Sequence, residues 1–73
     1  MKRVRITWLD SYGIADWVSF GDLKTMMPPS IISEGLLYNE DSKVVRLVGM
    51  YEEDTANAIQ IIPKGCILKT EEV

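Results

Sequence analysis

Apolar and polar residues alternate with period two from Lys2 to Leu9. Val4, Ile6 and Trp8 share one face, and Arg3, Arg5 and Thr7 the other. That is the pattern of a half-buried strand. Asp10-Ser11-Tyr12-Gly13 then reads as a turn. Between Ser19 and Met27 the period changes, with Leu23, Met26 and Met27 falling on one helical face. Pro28-Pro29 closes that segment, because a residue before proline is pushed out of the helical region. One short helix of a turn or two is predicted there.

From Ser30 onward the pattern is β. Ile31 to Tyr38 is a strand, and Glu34-Gly35 within it signals a bulge or a close backbone approach. Asn39-Glu40-Asp41-Ser42 is a polar hairpin loop. Lys43 to Tyr51 is rich in β-branched residues and apolar on nearly both faces, which marks a central strand. Glu52 to Asn57 reads as a charged loop, Ala58 to Ile62 as a strand stopped by Pro63-Lys64-Gly65, and Cys66 to Thr70 as the last strand. Five short strands with tight polar loops predict a mainly β fold. The expected architecture is a small antiparallel sheet rolled into a partly open barrel, with one short helical segment.

Composition then narrows the classes. A chain of 73 residues makes one domain, residues 1–73, and 47% hydrophobic content is generous for so small a core. The apolar excess and the central-looking strand predict a homo-oligomer. No histidine is present, which removes the commonest general base and metal ligand, and the single Cys66 excludes an internal disulfide or a cysteine zinc site. No Gly-rich phosphate loop and no calcium loop occurs, since Glu52-Glu53-Asp54 lacks the central glycine and the closing glutamate. Neither catalysis nor a cofactor or metal is expected. Cys66 reads as a small buried hydrophobe.

A net charge of −3 excludes the cationic surface of a general DNA or RNA binder. Arg5, Thr7 and Asp10 interrupt any signal-peptide core after Lys2-Arg3, and no run approaches the ~20 apolar residues of a membrane span. A cytoplasmic protein without a membrane partner is the expectation. What remains is binding. Trp8, Tyr12 and Trp17 have flat faces that can stack on nucleobases. Trp8 shares the Val4–Ile6 face, so a core role competes with stacking; for Trp17 core and ligand roles are evenly balanced, and Tyr12 sits within a turn. Arg46 interrupts an apolar strand and must meet solvent, a partner or an anion. Lys64 stands in a turn whose N–H groups could help hold an anion, though a plain surface turn is commoner.

One ordered set of short motifs runs through nearly the whole chain: Thr7-Trp8-Leu9-Asp10, Ile32-Ser33-Glu34-Gly35-Leu36-Leu37, Asn39-Glu40-Asp41 before an apolar strand, and Ile62-Pro63-Lys64-Gly65-Cys66-Ile67. It resembles a family of short bacteriophage proteins. Such proteins include sponges that sequester the cyclic oligonucleotide signals of host defence, such as cyclic GMP-AMP in the CBASS pathway. The resemblance implies a non-catalytic oligomer with nucleotide pockets, acting in the host cell cytoplasm. On this reading Trp8, Tyr12 and Trp17 stack bases, Arg3, Arg5, Arg46 and Lys64 meet phosphates, and Ser33 adds a polar contact beside Gly35. A rival expectation is a protein–protein module, an inhibitor of a host or phage protein or a structural phage component. Its contacts would come from Glu40-Asp41 and Glu52-Glu53-Asp54.

Overall fold

In the computed structural model, which describes residues 1–11 and 13–73, the one-sided alternation of the first segment forms strand β1, Arg3–Leu9. Val4 and Ile6 are buried, while Arg3 and Arg5 stay on the outer side. The chain continues through a short helix α1 (Phe20–Leu23), then β2 (Ser30–Glu40), β3 (Val44–Val48), β4 (Met50–Glu52), β5 (Thr55–Asn57) and β6 (Gln60–Pro63). A 3-10 turn, Lys64–Cys66, leads into β7 (Ile67–Glu72). The fold is mainly β and antiparallel, with one short helix.

Five strands form the main sheet in the order β6-β3-β2-β1-β7. Laid flat at ~4.8 Å per strand, β6 and β7 would lie about 19 Å apart. Yet only residues 64–66 separate the end of β6 from the start of β7, and four residue steps span about 14 Å at most. The sheet therefore has to roll. Its long strand β2 turns by shifting register against β3 between Leu37 and Asn39, and β1 shifts against β7 between Thr7 and Trp8. No ladder joins β6 to β7 among the described residues, so the roll stays open rather than closing as a barrel.

The core sits inside this roll: Val4, Ile6, Val45, Leu47 and Ile62, with Trp8, Leu37 and Ile67 packed against it. β3 lies between β2 and β6, in keeping with its apolar sequence. Gly35 marks a close backbone approach rather than a bulge, because a Cβ there would meet the Val48 carbonyl oxygen at 3.2 Å and Leu47 Cβ at 3.4 Å. Cys66 is half-buried rather than buried.

Two later segments depart from the expected elements, while the helix is the short one expected, a turn of four residues within Ser19 to Met27. Ser19 caps it, its Oγ accepting from the Asp22 N–H at 3.1 Å, but no residue of the helix is buried and its apolar face meets no core. The strand expected over Lys43 to Tyr51 leaves the sheet after Val48. Gly49 donates its N–H to the Asn57 and Ala58 carbonyls, both at 3.1 Å, and so turns the chain into a separate hairpin. The expected charged loop over Glu52 to Asn57 is the last residue of β4, the tip and the second strand of that β4–β5 hairpin. The result is elongated, 51 × 22 × 22 Å, with a radius of gyration of 15.6 Å where a compact chain of this length would have ~11 Å. Among the described residues, no helix is long and apolar enough to cross a membrane.

Candidate binding site

Trp8 and Ser33 are brought together by the β1–β2 pairing, which sets Ile6 opposite Ser33 and Trp8 opposite Ile31. The Trp8 indole N–H donates to Ser33 Oγ at 3.0 Å, and Ser33 is buried. A half-buried indole donor needs a partner, and the hydroxyl supplies it. Both side chains thus support the wall of the core.

Most of the candidate cations already hold carboxylates. Arg5 Nε donates to Glu34 Oε1 at 2.7 Å, across the directly paired positions of β1 and β2. Arg46 donates through Nη1 to Asn39 Oδ1 and through Nη2 to Asp41 Oδ2, each at 3.1 Å. This answers what an arginine does in an apolar strand: it lies on the outer face, tied to the β2–β3 turn. Lys64 Nζ reaches Glu40 Oε1 at 2.8 Å, and its backbone N–H donates to the Lys43 carbonyl rather than facing an anion. Arg3 is exposed at the start of β1.

The acidic partner of Arg46 is itself organised. Asp41 Oδ1 accepts the N–H groups of Lys43 at 2.8 Å and Val44 at 3.0 Å. These two backbone donors, followed by the Arg46 side chain, hold the Asp41 carboxyl below the usual carboxylate range.

Trp17 stands elsewhere, on an arm that leaves the sheet between Asp10 and Pro29, where the Asp10 N–H donates to the Pro29 carbonyl at 3.0 Å. Tyr12 lies outside the described residues. Along 13–29 no residue is buried, although Ile14, Trp17, Val18, Phe20, Leu23, Met26 and Met27 are all apolar. Trp17 is fully exposed and Phe20 is 88% exposed. The arm folds back enough to form an open slot of about 590 Å³, walled by Ile14, Trp17, Leu23, Met26, Met27 and Pro28 with Asp16 at its side.

The expected binding residues therefore fall in separate places. Trp17 lines the arm slot. Lys64 lies beside Glu40 at a mouth of the roll, in a hollow of about 300 Å³. Arg46 borders a groove of about 520 Å³ beneath the β4–β5 hairpin, together with Glu53 and Asp54. No lysine or arginine lines the arm slot among the described residues. What sequence reasoning passed over is Phe20, Ile14 and the slot itself. The available signal was a stretch of apolar residues between Gly13 and Pro28 with too little helix to bury them. No protein-family model matches the chain, and no curated protein or solved structure matches it either.

Proposed function

We propose that this chain is a non-catalytic interaction module that docks through the apolar arm of residues 13–29 on a protein surface. The observation that carries the reading is the exposure of Trp17 and Phe20 beside an apolar slot. Contiguous apolar surface of this kind marks interaction sites, and tryptophan is the residue type most enriched where binding energy concentrates. The acidic side chains fit the role less well than their charge suggests, since Glu40 and Asp41 are engaged by Lys64 and Arg46. Native mass spectrometry of the protein purified gently from its expressing cells tests the proposal. Added mass equal to a polypeptide, lost in a Trp17→Ser/Phe20→Ser variant, is the expected result; wild type and variant carrying the same masses would overturn it.

A second reading, sequestration of a cyclic oligonucleotide, is supported by the open Trp17 face, which offers a stacking surface worth ~1–3 kcal/mol per base, and by the resemblance to phage proteins. In this reading the phosphates meet Arg3 or the exposed Lys24 or Lys43, or displace carboxylates from Arg5, Arg46 or Lys64. The same spectra separate the two readings, because a nucleotide adds far less mass than any polypeptide. A thermal-shift titration with cyclic di- and trinucleotides is the direct check; at a hundredfold excess over the dissociation constant the stabilisation is ~2.7 kcal/mol. No shift at any concentration removes this reading.

A further inference from the structure

From the arm's geometry we infer that its occupant is a second copy of this chain: Trp17 of each copy enters the arm slot of the other. The inference rests on the docking reading above and names its partner.

The first support is area. The chain exposes 5804 Å², whereas a compact monomer of its mass exposes about 4,600 Å². The surplus, about 1,200 Å² over the whole elongated chain, is shared by the arm, none of whose residues 13–29 is buried, and it is more than the ~800 Å² per partner that a standard stable interface takes. The second support is the shape of the patch. A twofold interface must be complementary to itself, each copy offering both projection and recess. The arm has both: the Trp17 indole, fully exposed although it borders the slot, and about 590 Å³ of open slot otherwise walled by Ile14, Leu23, Met26 and Met27. An indole brings ~150–250 Å² of contact surface, and the slot has room for it.

Charge points the same way. The chain carries −3 overall, but residues 13–29 contain only Asp16, Asp22 and Lys24 as ionisable side chains. Two acidic copies that meet by their arms keep Glu52, Glu53, Asp54, Glu71 and Glu72 out of the contact. Helix formation agrees as well. A four-residue helix with no buried face cannot hold itself in water, because nucleation is costly and most helical stability comes from packing. The partner's arm supplies that packing.

The test is sedimentation equilibrium of the full chain at about 1–100 µM. Wild type is compared with Trp17→Ser and with Leu68→Ser, an exposed apolar position on β7 outside the arm. The expected result is a mass rising to twice 8.3 kDa in wild type and Leu68→Ser, with the dissociation constant weakened about tenfold or more in Trp17→Ser. Far-ultraviolet circular dichroism of Trp17→Ser matching wild type shows that the sheet is intact. In a Trp8→Phe background the remaining Trp17 emission shifts to the blue as the dimer forms. A monomer mass at the highest concentration overturns self-docking, as does a Trp17→Ser variant that dimerises like wild type. If that monomer still carries a different polypeptide in native spectra, the docking reading survives and its partner is another protein; if it carries none, both fall.

Discussion

At single positions, the structure turns two candidate ligand residues into a packing device. Ser33 is buried under the Trp8 indole and accepts its N–H at 3.0 Å. Ser33→Ala should therefore cost about 1 kcal/mol, the effect of leaving a half-buried donor without its partner. Urea unfolding checks this, and an unchanged midpoint would return Ser33 to the list of free polar contacts. A second pair sits where β3 leaves the sheet. Ala58 has φ 55°, in the left-handed region that favours glycine, and a Cβ added at Gly49 would lie 2.7 Å from Ala58 Cβ. Ala58→Gly is expected to stabilise by about 1 kcal/mol, and Gly49→Ala to destabilise by ~1–3 kcal/mol. In the double variant the clashing Cβ is gone, so the two effects should fail to add. A double-mutant cycle reads that coupling directly, and additive values would show that the two positions do not touch.

At the level of elements, what was legible is what the core imposes. β1 was readable because Val4 and Ile6 alternate with Arg3 and Arg5 across a one-sided burial, and β3 because a strand flanked by β2 and β6 needs apolar residues. The β4–β5 hairpin was not readable, since all of its residues are exposed and no burial pattern is written into Met50–Glu52 or Thr55–Asn57. The helix was readable as a turn or two, closed by Pro28-Pro29, and it stays at four residues because Leu23, Met26 and Met27 share a helical face that has no core to meet. Most of the ion pairs lay beyond reach because their partners are far apart in sequence, as Arg5 and Glu34 or Lys64 and Glu40 are; the Asp41–Arg46 and Lys69–Glu71 pairings are local. That turn makes a pH prediction. Asp41 has its carboxyl held low in the folded state, so its contribution is present above the ordinary aspartate range and is lost as pH falls through the lower folded value. Melting temperature should drop more steeply below about pH 4 in wild type than in Asp41→Ala, which starts lower at neutral pH and lacks this acid-sensitive part. Parallel curves would mean the turn contributes nothing through its charge.

Over the whole molecule, a small rolled sheet with a buried core carries an arm that takes no part in that core. Val4, Ile6, Val45, Leu47 and Ile62 pack without help from any residue of 13–29. The arm is also tied off at its base, where Leu9 pairs with Ser30 and the Asp10 N–H meets the Pro29 carbonyl. Folding and docking are therefore separable in this chain, and excision should demonstrate it. Replacing residues 11–28 by a short Gly-rich turn of about four residues leaves β1 and β2 in their register as an ordinary hairpin. Closing the shorter loop costs about 1 kcal/mol less entropy, so the excised protein should unfold at the same or higher denaturant concentration. It should sediment as a monomer at every concentration, with a radius of gyration below 15.6 Å in small-angle scattering. Loss of the β circular-dichroism signal would show that the arm is needed to fold the sheet. A folded excised protein that still dimerises would move the contact to the β4–β5 hairpin, both strands of which are exposed throughout.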